Sequence, residues 1–180
     1  MDFNCLKGMT LKSITGLRCG SSEVVFENYS GQLFRMFHYQ DCCESVTVED
    51  VVGDVEDLIG SAIVRAEERS NGVQDIKDGY GDVEQWTFYE LATNRGSVTV
   101  RWYGTSNGYY GTGVSFEELS FHDQAREGRL ADGVYEVETT DGREWWLWDG
   151  GQWCDYDGTK LDAYDGRDRF TVLGLVIKRP

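Results

Sequence analysis

The chain has 180 residues with 40% apolar and 13% aromatic content, enough to bury a core, so wholesale disorder is excluded. There are 22 Gly and one Pro, which excludes collagen-like and Pro-rich chains, and no apolar run approaches the roughly 20 residues of a membrane helix. Lys and Arg number 17 against 32 Asp and Glu, a net charge of −15 that repels phosphate backbones, so no direct nucleic-acid binding and no membrane partner are expected.

The dominant period along the chain is two. Thr10–Leu17, Glu23–Glu27 and Gln32–His38 read as strands of a meander, the last two joined by a turn at Asn28–Gly31. Ser45–Val51 alternates polar and apolar residues, which predicts a half-buried strand. Gly53–Gly60 carries acids in its first turn and closes on glycine, as a short helix does. Ala62–Glu68 reads as a strand, and Ser70–Gln85 lacks any period and reads as a loop. Trp86–Thr93 and Ser97–Tyr103 flank Asn94-Arg95-Gly96, the clearest hairpin signal in the chain. Gly104–Gly111 reads as a Gly-rich loop and Gly113–Leu119 as a strand.

Alternation stops near Phe121–Leu130. Beyond it, Gly133–Glu138, Arg143–Asp149, Gln152–Tyr156 and Phe170–Ile177 read as strands, with turns at Asp141-Gly142 and Gly150-Gly151. The expected fold is mainly β, an antiparallel sheet or small barrel-like meander with one short helix, plus a small C-terminal Trp-rich β module. The expected boundary separates residues 1–128 from 129–180. The first 30 residues lack a basic, then apolar, then small-residue pattern, so a cytosolic protein is expected.

Residues 41–90 hold 14 acids against three bases, a net −11. Such a segment is either a solvated, solubilising face or a docking face for a basic protein. The five cysteines, Cys5, Cys19, Cys42, Cys43 and Cys154, form no CxxC, so reduced thiols are expected and a structural zinc site is not.

Three constellations stand out. His38-Tyr39-Gln40-Asp41-Cys42-Cys43-Glu44 gathers a His, two carboxylates and two thiols at a strand junction. It fits a Cys nucleophile with its His base, a His/Asp/Glu metal site, a polar ligand pocket, or simply a packed turn with buried thiols. Adjacent Cys42 and Cys43 point to opposite faces if the backbone is extended, which argues against one shared metal centre. The second constellation, Arg101–Tyr110, puts Arg101, Trp102, Tyr103, Tyr109 and Tyr110 around Ser106, Asn107 and glycines. Aromatic faces stack on planar rings and small polar residues bind hydroxyls or phosphates, yet neither GxGxxG nor a P-loop is present. The same residues also suit a packed hairpin rim. The third is Trp145, Trp146, Trp148 and Trp153. Trp146 and Trp148 share one strand face and fill a small core, or else offer a contact face.

The ordered motifs Phe34-Arg35-Met36-Phe37-His38, Asp41-Cys42-Cys43-Glu44-Ser45-Val46, Glu49-Asp50, Gly53-Asp54, Asp57-Leu58-Ile59-Gly60, Trp86-Thr87-Phe88-Tyr89 and Val98-Thr99-Val100-Arg101-Trp102-Tyr103-Gly104 carry a resemblance. Over residues 8–119 the chain resembles a family of small acidic phage-encoded proteins of unknown function. The resemblance implies origin and context: an accessory protein in the bacterial host cytosol acting against a host defence. It assigns no activity.

The expected function is therefore a non-catalytic binding protein that counteracts a bacterial defence and needs no cofactor or bound metal. One reading is sequestration of a nucleotide-like small molecule by His38, Asp41, Cys42, Glu44, Arg101, Trp102, Ser106, Asn107, Tyr109 and Tyr110. There Arg101 meets phosphate, and Trp102 or Tyr109 stacks on a base. The alternative is an acidic inhibitor or DNA mimic that uses Glu49, Asp50, Asp54, Glu56, Asp57, Glu67 and Glu68 against a host nuclease. A third reading is a metal- or Cys/His-dependent hydrolase built on His38–Glu44. A homo-oligomer is compatible with each.

Overall fold

The computed structural model describes residues 1–77, 81–129, 133–140, 142–149, 152–154, 160–162 and 170–178. The chain divides into two compact units, Met1–Glu118 and Leu119–Pro180. Both are antiparallel β, and neither closes into a barrel, so the barrel-like alternative falls away.

In the first unit the strands are β1 (Leu11–Thr15), β2 (Glu23–Asn28), β3 (Leu33–Phe37), β4 (Glu44–Val52), β5 (Arg65–Ser70), β6 (Gln74–Asp75), β7 (Val83–Ala92), β8 (Ser97–Ser106) and β9 (Ser115–Leu119). One sheet runs β1-β2-β3-β9 and the other β4-β8-β7-β5, with β6 pairing on β7. In β8 every even residue from Val98 to Ser106 is buried and every odd one is not, the alternation that lets one face join a core while the other meets water. Both sheets contribute to one apolar cluster: Leu11, Val24, Phe26, Phe34, Met36 and Phe116 from the first, Val46, Val48, Ala66, Tyr89, Leu91, Val98, Val100 and Trp102 from the second. Phe3, on a 3-10 turn over Phe3–Leu6, wedges among them, with its ring 4.8 Å from Tyr89 and 5.2 Å from Phe116. Edge-to-face packing of this kind suits the ring quadrupoles. The β2–β3 turn is held by the Asn28 side chain, whose Oδ1 accepts from the Ser30 and Gln32 amides, while Gly31 takes a φ of 80°.

Three local expectations change. Gly53–Gly60 forms a single 3-10 turn, Val55–Leu58, capped by the Asp54 carboxylate on the Glu56 amide. Four residues with one buried side chain, Leu58, cannot sustain an α-helix. Ala62 and Ile63 belong to no strand: they pair locally with Thr10 and Met9, and β5 begins only at Arg65. Ser70–Gln85 is not merely a loop, because β6 and the start of β7 lie in it. Their mostly polar residues hide the strand period, and backbone pairing holds them instead, with Ile76 N bonded to Asp82 O at 2.9 Å.

The second unit holds α1 (Phe121–Arg126) and strands β10 (Gly133–Thr139), β11 (Gly142–Trp148), β12 (Gln152–Cys154), β13 (Lys160–Asp162) and β14 (Phe170–Lys178), in sheet order β13-β12-β11-β10-β14. The polar stretch after Phe121 thus starts as a helix, N-capped by Ser120 on the Asp123 amide. Its apolar residues Phe121 and Ala125 pack with Tyr135, Val137, Trp146, Trp148, Trp153 and Val172. The Trp148 and Trp153 rings lie 5.0 Å apart, whereas Trp145, one residue out of phase, stays exposed. The residues Asp141 and Gly150-Gly151, read as turns, lie outside the described residues, as do Asp155 and Tyr156. Among the described residues no helix is long and apolar enough to cross a membrane.

Candidate functional site

The β3–β4 connection and the turn after β8 lie side by side, because Glu44 at the start of β4 pairs in register with Ser106 at the end of β8. This register joins most of the first two constellations. The Asn107 amide donates to the Cys43 carbonyl at 3.2 Å, and the Cys42 sulfur lies 3.0 Å from the Tyr110 hydroxyl. Ser106 Oγ donates to the Tyr110 carbonyl at 2.7 Å and accepts from the Gly108 amide.

His38 is the anchor of this junction. Its Nδ1 lies 2.7 Å from the Gly113 carbonyl oxygen, and its Nε2 lies 3.0 Å from Glu44 Oε1. The Glu44 carboxylate is almost wholly buried and also accepts from the Asp41 amide at 2.6 Å. A buried carboxylate needs such partners, since an unmatched one is costly. Asp41 itself is exposed and accepts from the Cys42 amide. Tyr109 is exposed and stacks edge-on against Tyr110.

Beside the junction is a pocket of about 600 Å³, lined by Cys43, Glu44, Ile76, Asp82, Thr105, Ser106 and Asn107. On its far side it is lined by Ile76 and Asp82, which lie in a stretch the sequence showed only as aperiodic polar residues and so had no signal of their own. The two walls approach closely at Gly108: its φ is 80°, and a Cβ there would lie 2.4 Å from the Gly81 carbonyl oxygen.

Arg101 and Trp102 do not join this site. Trp102 faces inward and is 1% exposed, so it packs in the core and offers no stacking face. Arg101 faces outward five residues before Ser106, about 16 Å along the strand. It is bound to Glu49 Oε2 through Nε at 2.7 Å and lies 3.7 Å from Asp50. Glu49 Oε2 also accepts from Trp86 Nε1 at 2.9 Å, and Trp86 packs on Tyr103, whose hydroxyl donates to Glu84.

The other acids are spread rather than pooled. Glu49 and Asp50 lie on one edge strand of the β4-β8-β7-β5 sheet and Glu67 and Glu68 on the other. Glu67 pairs with Arg69 at 2.8 Å, and Asp57 lies 3.8 Å from Arg95. Asp54 caps its 3-10 turn and Glu56 is exposed beside it.

The electrostatics follow from the same neighbours. Cys42, beside its hydroxyl, pushes Tyr110 up to about 12. The Cys42 thiol, then burial and the Asp41 and Glu44 carboxylates, raise the Cys43 thiol above its usual range. Cys42 and Cys43 are exposed, which sets aside the alternative of a packed turn with buried thiols, and all five cysteines are free. Among the described residues no three His, Cys, Asp or Glu side chains converge to hold a metal ion.

The family model described as a domain of unknown function (DUF7448) matches residues 7–116. The chain belongs to this family. No curated protein and no solved structure matches it. The DUF7448 segment coincides closely with the Met1–Glu118 unit, so the junction, its pocket and the Arg101–Glu49 pair all lie within the matched residues.

Proposed function

We propose that this DUF7448 protein is a non-catalytic binding protein that docks a basic protein surface. The observation that carries the reading is the pocket lining: among the described residues it holds two acids, the buried Glu44 and the exposed Asp82, and no Lys or Arg. Arg101, the cation a phosphate would need, is held elsewhere by Glu49 and Asp50. A phosphate at the pocket would face carboxylates, whereas a Lys or Arg side chain of a partner would be charge-matched. The spread of acids to both edges of the same β4-β8-β7-β5 sheet extends that attraction beyond the pocket. His38 Nδ1 is engaged by the Gly113 carbonyl and the Cys42 sulfur by Tyr110, which favours binding over nucleophilic chemistry. In the biological setting we favour, an accessory phage protein in the host cytosol inhibits a basic defence nuclease by occupying its nucleic-acid surface.

A second reading, sequestration of a nucleotide-like signal, draws on Ser106 and Asn107, which line the pocket, and on Tyr109 and Tyr110, which follow them in the same turn. Calorimetry separates the two. Arg- and Lys-rich peptides are titrated at low and high salt, alongside a panel of linear and cyclic nucleotides. The docking reading expects peptide binding that weakens steeply with salt and is lost in Asp82→Lys. Salt-insensitive nucleotide binding, with no peptide binding, would overturn it in favour of the small-ligand reading.

A further inference from the structure

The tripeptide Ser-Asn-Gly occurs twice: Ser70 ends β5 and leads into Asn71-Gly72, and Ser106 ends β8 and leads into Asn107-Gly108. The two copies share a backbone form. Each glycine has a positive φ, 75° at Gly72 and 80° at Gly108. Each glycine amide donates to the serine Oγ two residues back, at 3.0 and 3.2 Å. Both asparagines are exposed to water. An Asn-Gly step is open to ring closure between the asparagine side chain and the next amide nitrogen, because glycine has no Cβ to obstruct the approach.

The tertiary structure treats the two copies differently. Asn71 Oδ1 accepts from the Trp86 amide at 2.8 Å, and Asn71 N donates to the Trp86 carbonyl at 3.2 Å. Trp86 belongs to β7, so turning the Asn71 side chain toward Gly72 N breaks a bond to another strand. Asn107 Oδ1 instead accepts from the Tyr109 amide at 3.1 Å, inside its own turn. That bond closes a ring containing both Asn107 Cγ and Gly108 N, and it aims a donor at the oxygen that gains charge when the nitrogen attacks. The serines differ too. Ser106 Oγ donates its own proton to the Tyr110 carbonyl at 2.7 Å, which strengthens it as an acceptor for the Gly108 amide. Ser70 Oγ is shared between the Gly72 amide and Gln85 Nε2.

We propose that Asn107 is a deamidation site, where a side chain of the pocket lining converts to a carboxylate without an enzyme. Gly108 N attacks Asn107 Cγ, the Cγ–Nδ2 bond breaks, and the proton shed by Gly108 N ends on the departing ammonia. Water then opens the cyclic imide at either carbonyl and leaves aspartate or isoaspartate at position 107. Nothing is oxidised or reduced. The conversion adds one negative charge to a lining that already holds Glu44 and Asp82. It does not depend on what the pocket binds.

The test is peptide mapping by mass spectrometry of the full-length protein, incubated at mildly alkaline pH with and without urea. In the folded protein Asn107 should gain the mass of an amide-to-acid exchange roughly fivefold faster than Asn71, the scale of the one hydrogen bond that Asn71 must give up. In urea the two tripeptides lose their different surroundings, so their rates should converge. Asn107→Gln, whose longer side chain closes the ring poorly, should stay unconverted at that position while Asn71 converts as before. Anion exchange should then lack the more acidic fraction that native protein accumulates first. An Asn107 that stays intact in the folded protein, or an Asn71 that converts ahead of it, overturns the proposal. A rate difference that persists unchanged in urea overturns the structural cause assigned to it.

Discussion

Arg101 donates its Nε to Glu49 Oε2 at 2.7 Å, across the β4–β8 pair and on the outer face of the sheet. The side chain with the best chemistry for a phosphate is therefore part of a half-exposed ion-pair network. Arg101→Ala should lower stability by no more than about 1 kcal/mol, because solvent screens the pair. It should leave nucleotide titrations as flat as those of the native protein. Urea unfolding and calorimetry on both proteins check this, and nucleotide binding that disappears in Arg101→Ala would contradict it.

Trp102 and Tyr109 should behave oppositely. Trp102 is 1% exposed and Tyr109 is 84% exposed. Truncating the buried ring leaves a cavity, so Trp102→Ala should cost about 3–5 kcal/mol. Tyr109→Ala should stay within about 0.5 kcal/mol of the native protein. Equal losses in urea unfolding would mean that Tyr109 is not the open rim described above.

His38→Ala removes the partner of a nearly buried carboxylate and a bond to the Gly113 carbonyl. A loss of about 1–3 kcal/mol is expected. Adding Glu44→Gln should recover part of it, because the stranded charge is gone. A double-mutant cycle measures the coupling, and strictly additive losses would show that the two side chains do not act together.

The thiols should separate by exposure. Under native conditions Cys19, Cys42 and Cys43 are open to alkylation, while Cys5 and Cys154 are half-buried. Mass spectrometry of partly alkylated protein should show the first three modified earliest. The thiolate is the reacting form, and neighbours raise Cys43 above 9.0. Its alkylation rate should therefore keep climbing with pH beyond 9 instead of levelling there. Rapid, pH-independent labelling of Cys43 would contradict the placement of Asp41, Cys42 and Glu44 around it.

The fragment Met1–Glu118 should fold without the remainder. It carries both sheets of the first unit and the cluster from Phe3 to Phe116, and the DUF7448 match ends within it. A single cooperative transition in thermal or urea unfolding of the isolated fragment is expected. A fragment that lacks a transition shows that the second unit is needed for the first to fold.

The sequence by itself determined the β class and most strands, because alternation and turn chemistry are local. Val98, Val100 and Trp102 announce an inward face, and Asn28 to Gly31 announce a turn, whatever lies elsewhere in the chain. It also placed Trp146 and Trp148 on one face and Trp145 on the other. Mostly polar strand segments were not legible: β6 and the start of β7 are held by backbone pairing, which carries no side-chain period. Neither was the 3-10 turn that seats Phe3, since a single apolar residue has no period either. The makeup of the site was decided only by tertiary structure. The pairing of Glu44 with Ser106 is a matter of strand register between segments some 60 residues apart. The same pairing that joins Cys42 to Tyr110 sends Arg101 to the other face, because side chains on a strand alternate and five residues reverse the direction. The left-handed backbone at Cys43 is likewise set by the junction around it, where Asn107 binds its carbonyl and Glu44 turns back to Asp41.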